Sequence, residues 1–133
     1  MSAYILGRLL PAPRKRFDTL VDQLAVAADP VFALAGLNDF LSACTAAELT
    51  AATAEAPRAA LPPLRQNYLA AMVEYAAGRN DMAAPAWTRA VAPLEHPWFG
   101  SDLQNLRLYL LTHSPAPFRR RNIFIDSTLG DRV

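Results

Sequence analysis

A chain of 133 residues, 53% apolar and 19% charged, is long enough for one domain with a core of its own, without a metal or disulfide staple. Its 13 basic and 12 acidic side chains leave a formal net charge of +1. That balance argues against a disordered tail, a highly basic nucleic-acid coat and a fibrous repeat. With 26 Ala and 19 Leu against six Val and three Ile, the composition favours helices over strands.

Cys44 stands alone, which excludes an internal disulfide, a paired-cysteine metal motif and a redox pair, and makes the cytoplasm the natural compartment. No apolar run reaches the roughly 20 residues of a membrane-spanning helix. The start, Met1 to Leu10, lacks the pattern of a secretory signal. A soluble, unprocessed chain is expected.

Charge is segregated along the sequence. Residues 1–16 form a basic arm with no acid, and residues 17–56 hold six acids and no Lys or Arg. After the arm, Phe17, Leu20, Val21 and Leu24 recur at helical spacing and share a face. Asp29 and Pro30 suit the N-cap and first turn of a second helix running to about Ala43, with Val31, Leu34, Leu37 and Leu41 as its apolar stripe. Thr45 and Glu48 have the spacing of a capping box, which predicts a third helix ending near Pro57.

Pro62 and Pro63 open the most strongly patterned helix. Leu64, Tyr68, Leu69, Met72, Val73 and Ala76 form one side, with Gln66, Asn67, Ala70 and Glu74 opposite, and Arg79-Asn80-Asp81 ends it. Prolines 85, 93 and 97 keep residues 80–100 mostly irregular, with a short helical turn around Thr88 to Ala92. A second capping pattern, Ser101 to Gln104, predicts a leucine-rich helix to His113 that is apolar almost all round. Ser114 and Pro115 supply another cap and first turn for a short helix through Phe118 to Arg121. Asn122 to Ile125 is the one β-like run, too short to make a sheet alone, and Asp126 is placed to cap a last turn over 127–131. No internal repeat is present. The expected fold is a single all-α domain over residues 1–133, a compact irregular bundle of about five helices with a loop-rich, proline-rich C-terminal half.

Reactive groups do not converge in this sequence. His96 and His113 lack the spacing of a metal pair, and each has an ordinary place, one in a turn and one at a helix end. Cys44 has no cationic neighbour in sequence to activate it and reads as an apolar filler. No glycine-rich phosphate loop exists, and the carboxylate spacing selects no acid–base pair. The expectation is a protein that is not an enzyme and takes no metal or cofactor.

Contact residues are more prominent. Arg14-Lys15-Arg16 and Arg119-Arg120-Arg121 are candidate phosphate binders, although consecutive arginines on a short helix point in different directions and pair readily with carboxylates. Arg107 falls within the leucine-rich helix surface, where it must be paired or must reach water along its stem, so it reads as a structural anchor. Trp87, Trp98 and Phe99 sit in irregular chain, where large aromatics fill gaps between helices or anchor a partner.

The ordered string Asn67 to Ala76, Pro85 to Thr88, Pro97 to Phe99, Leu106-Arg107, Ser114-Pro115 and Phe118 to Ile125 resembles a group of uncharacterised bacterial proteins. These are encoded beside nucleotidyltransferase-like proteins, in pairs that look like toxin–antitoxin modules. The resemblance covers about half the chain, residues 67–133. It implies a protein partner that is neutralised or regulated, and assigns no catalytic residue. Residues 1–66 carry no recognition-helix signature of the kind some relatives have at the N-terminus, which turns the reading away from operator binding.

The expected function is therefore an antitoxin-like protein-binding module. Trp98, Phe99, Arg119, Arg120 and Arg121 are its candidate contacts, and the acidic stretch from Asp18 to Glu55 is suited to a basic nucleotide pocket on the partner. The alternative is a nucleic-acid-binding regulator that uses the arginine clusters. A net charge near zero supplies little of the attraction such binding needs.

Overall fold

Pro13 sits in the first turn of helix α1 (Pro13–Val26), where its missing N–H costs no hydrogen bond. The computed structural model describes residues 12–100 and 114–125. Phe17, Val21 and Leu24 are fully buried on α1, with Leu20 packed beside them, as the spacing predicts. Helix α2 (Val31–Ala43) starts where the Asp29 carboxylate accepts the Val31 N–H at 3.1 Å. Leu37, Phe40 and Leu41 are its buried side. Val31, expected in that stripe, stands at the corner between the helices and is 60% exposed.

Helix α3 (Ala46–Thr53) begins at the capping box: the Glu48 N–H donates to Thr45 Oγ1 at 3.2 Å, and the Thr45 N–H donates to Glu48 Oε1 at 2.9 Å. It stops at Thr53, before the expected boundary near Pro57, and side chains satisfy carbonyls at and just beyond its end. Arg14 donates to the Ala52, Glu55 and Ala56 oxygens, and Trp87 Nε1 donates to the Thr53 oxygen at 2.8 Å. Arg65 does the same for α1, donating to the Leu24, Ala27 and Ala28 oxygens.

Helix α4 (Pro63–Arg79) is the shared wall of the fold, in contact with α2 and α3, with α5 (Ala86–Ala90) and with α6 (Ala116–Arg119). Leu64, at the start of its expected apolar side, is half-buried, and the rest of that side, from Tyr68 to Ala76, is buried. So are Asn67 and Ala70, at 1% and 0% exposure, which the projection had set on the opposite side. The reason is a second layer: α5, the loop after it and α6 cover the side that amphipathicity alone would leave to water. The helix ends with Asp81 in the left-handed region, φ 54°, while the Met82 and Asp81 N–H groups close onto the Ala77 and Gly78 oxygens.

The β-like run does find a partner. Strand β1 (Trp98–Phe99) pairs in parallel with β2 (Ile123–Phe124), Trp98 opposite Ile123 and Phe99 opposite Phe124. Gly100 continues the ladder onto the Phe124 oxygen at 2.9 Å, and a Cβ there would approach Ile125 Cγ2 to 3.3 Å. Ser114, expected to cap α6, has its hydroxyl against Ile125, donating to its oxygen and accepting from its N–H, both at 2.8 Å.

The fold is all-α, with six helices and this one pair of two-residue strands among the described residues. None of these helices is long and apolar enough to cross a membrane. The expected leucine-rich helix over 101–113 with Arg107 and His113, the last turn over 127–131, and most of the basic arm lie outside the described residues.

Two measurements check this packing. Ala70→Leu overfills a closed site and lowers stability by about 1–3 kcal/mol in denaturant unfolding. The hydrogen bonds from Thr45, its backbone N–H foremost, hold the Glu48 carboxyl below its usual range. The stabilisation it gives is complete above the ordinary glutamate value and disappears as pH falls through the lowered one. Glu48→Gln, which keeps an acceptor at that position, therefore flattens the acid limb of the stability profile.

Candidate functional site

Three consecutive arginines cannot share one environment on a helical turn, and the structure separates them. Arg119 and Arg120 are exposed, while Arg121 turns inward and is 5% exposed. This corrects the reading of Arg121 as a partner contact: its charge is answered inside the protein.

All five guanidinium N–H groups of Arg121 have acceptors. Nε and Nη2 donate to the two carboxylate oxygens of Glu74 at 3.2 and 2.9 Å. Nη1 donates to Asn67 Oδ1 at 3.0 Å and to the Val91 oxygen at 3.1 Å, and Nη2 also donates to the Thr88 oxygen. Asn67 and Glu74 lie two helical turns apart on α4, whereas Thr88 and Val91 supply carbonyls from the end of α5. One side chain thus joins the polar flank of α4 to the last turn of α5. The Glu74 carboxylate is nearly as enclosed as its partner, with side-chain exposures of 12% and 6%.

The adjoining residues fasten the loop that follows α5. Asn67 Nδ2 donates to the Ala92 oxygen at 2.9 Å, and Asn122 Nδ2 donates to the Leu94 oxygen at 2.7 Å. Asn122 has φ 63°, a left-handed conformation that asparagine tolerates better than most residues. Its own oxygen accepts the Trp98 N–H at 2.8 Å. A proline-rich segment with little secondary structure is therefore held at Val91, Ala92, Leu94 and Trp98.

Between this loop and the first turns of α4 runs an open groove of about 630 Å³, walled by Pro63, Leu64, Pro93, Leu94, Pro97 and Trp98, with Glu95 and His96 also lining it. Trp98 is half-buried and meets Tyr68 edge-on, centroids 6.1 Å apart. Tyr68 meets Phe118 in the same way at 5.3 Å. The Trp98 ring thus leans on the core while facing the groove. Phe99 stacks on Phe124 at 5.1 Å, which ties it to the strand pair. A largely apolar trough with its loop held by hydrogen bonds suits an apolar segment or side chain from a protein.

The remaining candidates fall elsewhere. Trp87 packs between helices with its N–H on Thr53, and Arg107 lies outside the described residues. Cys44 has a cation near it in space, Arg16, which its sequence neighbours do not reveal. Burial and then Glu48 push its thiol up, however, and outweigh Arg16, so it is held in the unreactive form. Among the described residues no three His, Cys, Asp or Glu side chains gather in a metal-binding cluster.

Sequence reading missed the roles of Asn67, Glu74 and Arg65, and took Arg14 for a phosphate binder. For Asn67 and Glu74 the available signal was their seven-residue spacing, which sets two polar side chains on one side of α4. No family model, curated protein or solved structure matches the chain.

Removing Arg121 leaves Glu74 buried without its counter-charge, so Arg121→Ala costs about 3–5 kcal/mol in denaturant unfolding. Arg121→Lys recovers little, because an ammonium cannot reproduce a five-donor fork. Arg119→Ala and Arg120→Ala change stability by less than about 0.5 kcal/mol.

Proposed function

We propose that the chain is an antitoxin-like protein-binding module, with the Trp98 groove as its principal contact and Arg119 and Arg120 as outward-facing charges. The observation that supports this reading is the fastening of the loop by Asn67, Arg121 and Asn122. An irregular segment held in one conformation loses little entropy on docking, so its apolar wall and its Trp are available for binding at low cost. Trp and Arg are the residue types that most often dominate such contacts. The partner class we propose, a toxin whose nucleotide or substrate entry is covered by the bound module, rests on the resemblance of residues 67–133 to proteins paired with nucleotidyltransferase-like partners.

The nucleic-acid alternative is weakened by the use made of the basic clusters. Arg121 is enclosed, Arg14 is bonded to Asp18 and three carbonyls, and Arg16 lies over the Phe40 ring at 4.9 Å. Phosphate binding draws its strength from several free cations acting together.

Co-expression with the product of the neighbouring gene tests the reading, which expects a nucleotidyltransferase-like protein there. A stoichiometric complex is expected to co-purify, and Trp98→Ala should weaken it roughly tenfold or more with the helical circular dichroism unchanged. Two well-folded proteins that never associate, or a chain that binds duplex DNA at low salt and loses it when Arg119 and Arg120 are neutralised, would overturn it.

A further inference from the structure

Single apolar side chains on a surface are ordinary, but three at one corner are not. Where α1 turns into α2, Val26 is 83% exposed, Val31 60% and Phe32 88%. The corner is held from behind and from within. Arg65 Nη1 donates to the Leu24 and Ala27 oxygens at 2.8 and 2.7 Å, Nη2 donates to the Ala28 oxygen at 3.4 Å, and the Asp29 carboxylate accepts the Val31 N–H. Phe32 therefore projects from a fixed turn.

The surroundings are acidic. Asp22 is one helical turn before Val26 on α1, Asp29 lies in the turn, and Asp39 is two turns beyond Phe32 on the same side of α2; all three are exposed. Residues 17–56 contain no Lys or Arg, and the Arg65 fork that reaches the corner is directed at backbone carbonyls. Phosphate backbones and anionic lipid headgroups are repelled by such a rim. A second copy meeting the same corner would set aspartates against aspartates. An apolar protein segment with basic flanks meets neither objection.

We propose that the α1–α2 corner is a docking surface for a protein segment that presents an apolar anchor flanked by Lys or Arg. It rests on the protein-binding reading and adds a second contact to it. The first turn of α4 links the two, because Pro63 and Leu64 line the groove while Arg65 holds the corner.

The test uses the whole ¹⁵N-labelled chain and two synthetic amphipathic helices, one of Leu and Lys and its counterpart of Leu and Glu. The Leu–Lys peptide is expected to shift the amides of 22–26 and 31–39, and the Leu–Glu peptide to leave them unmoved. Phe32→Ser should weaken binding roughly tenfold, the effect of leaving a Phe side chain in water. Asp22→Asn with Asp39→Asn should weaken it severalfold and flatten its salt dependence. Circular dichroism checks that each variant is folded.

Shifts spread over other faces, equal binding of both peptides, no binding at millimolar peptide, or self-association abolished by Phe32→Ser would each overturn the proposal. In the co-expression assay, capture lost with Trp98→Ala but intact with Phe32→Ser overturns the corner and leaves the groove standing. Absence of any wild-type complex sinks the module reading alone, and the peptide titration still decides the corner.

Discussion

A guanidinium can enter a protein interior only if nearly every one of its donors finds an acceptor, because the cost of stripping its water is several kcal/mol. Arg121 meets that condition with one carboxylate, one side-chain amide and two backbone carbonyls. These acceptors belong to α4, to the end of α5 and to the start of the loop, so their relative positions are fixed together. A displacement of any of them strands a charge or a carbonyl. The groove wall, the seating of Trp98 and the covering of α4 on its second side all depend on this set of bonds.

The same device is used twice more. Arg14 serves the end of α3 and Arg65 the end of α1, each through one carbonyl of the helix's last turn and two of the chain that leaves it. A positive charge is favoured at a helix C-terminus, and a fork of donors can reach several carbonyls at once. Neither α1 nor α2 has a basic residue in its own last turn, nor does α3. For α1 and α3 the cation is brought from a distant part of the chain, and closing the helix end also joins two elements. The three bonded arginines act as internal ties, which changes what the basic clusters mean for function.

Local features were legible in the sequence. The Thr45–Glu48 box, the Asp29 turn, the proline at the start of α4 and the stop at Arg79-Asn80-Asp81 are local, resting on residue types and on bonds that span a few residues. The partners of Arg121 were not legible, because Glu74 and Asn67 lie 47 and 54 positions away. A helical projection shows which residues share a side; it does not show whether a second layer covers the other side, and that is why Asn67 and Ala70 were misplaced. The strand at Ile123 was readable, but its mate at Trp98 sits among prolines and carries no alternation to announce it. Among the candidate contacts, aromatic composition pointed to Trp98, whereas the run of three arginines gave no sign of which member turns inward.

The separation between Arg121 and Glu74 also orders events in time. A ribosome releases α1 to α4 well before residue 121, and during that interval Glu74 and Asn67 have no guanidinium to meet. The segment after α5 is then unlatched, so the trough beside Trp98 does not yet have its shape. The loop is therefore latched last, when the helical framework already exists, and a chain cut short of residue 121 keeps α4 but loses the bonds that shape the trough.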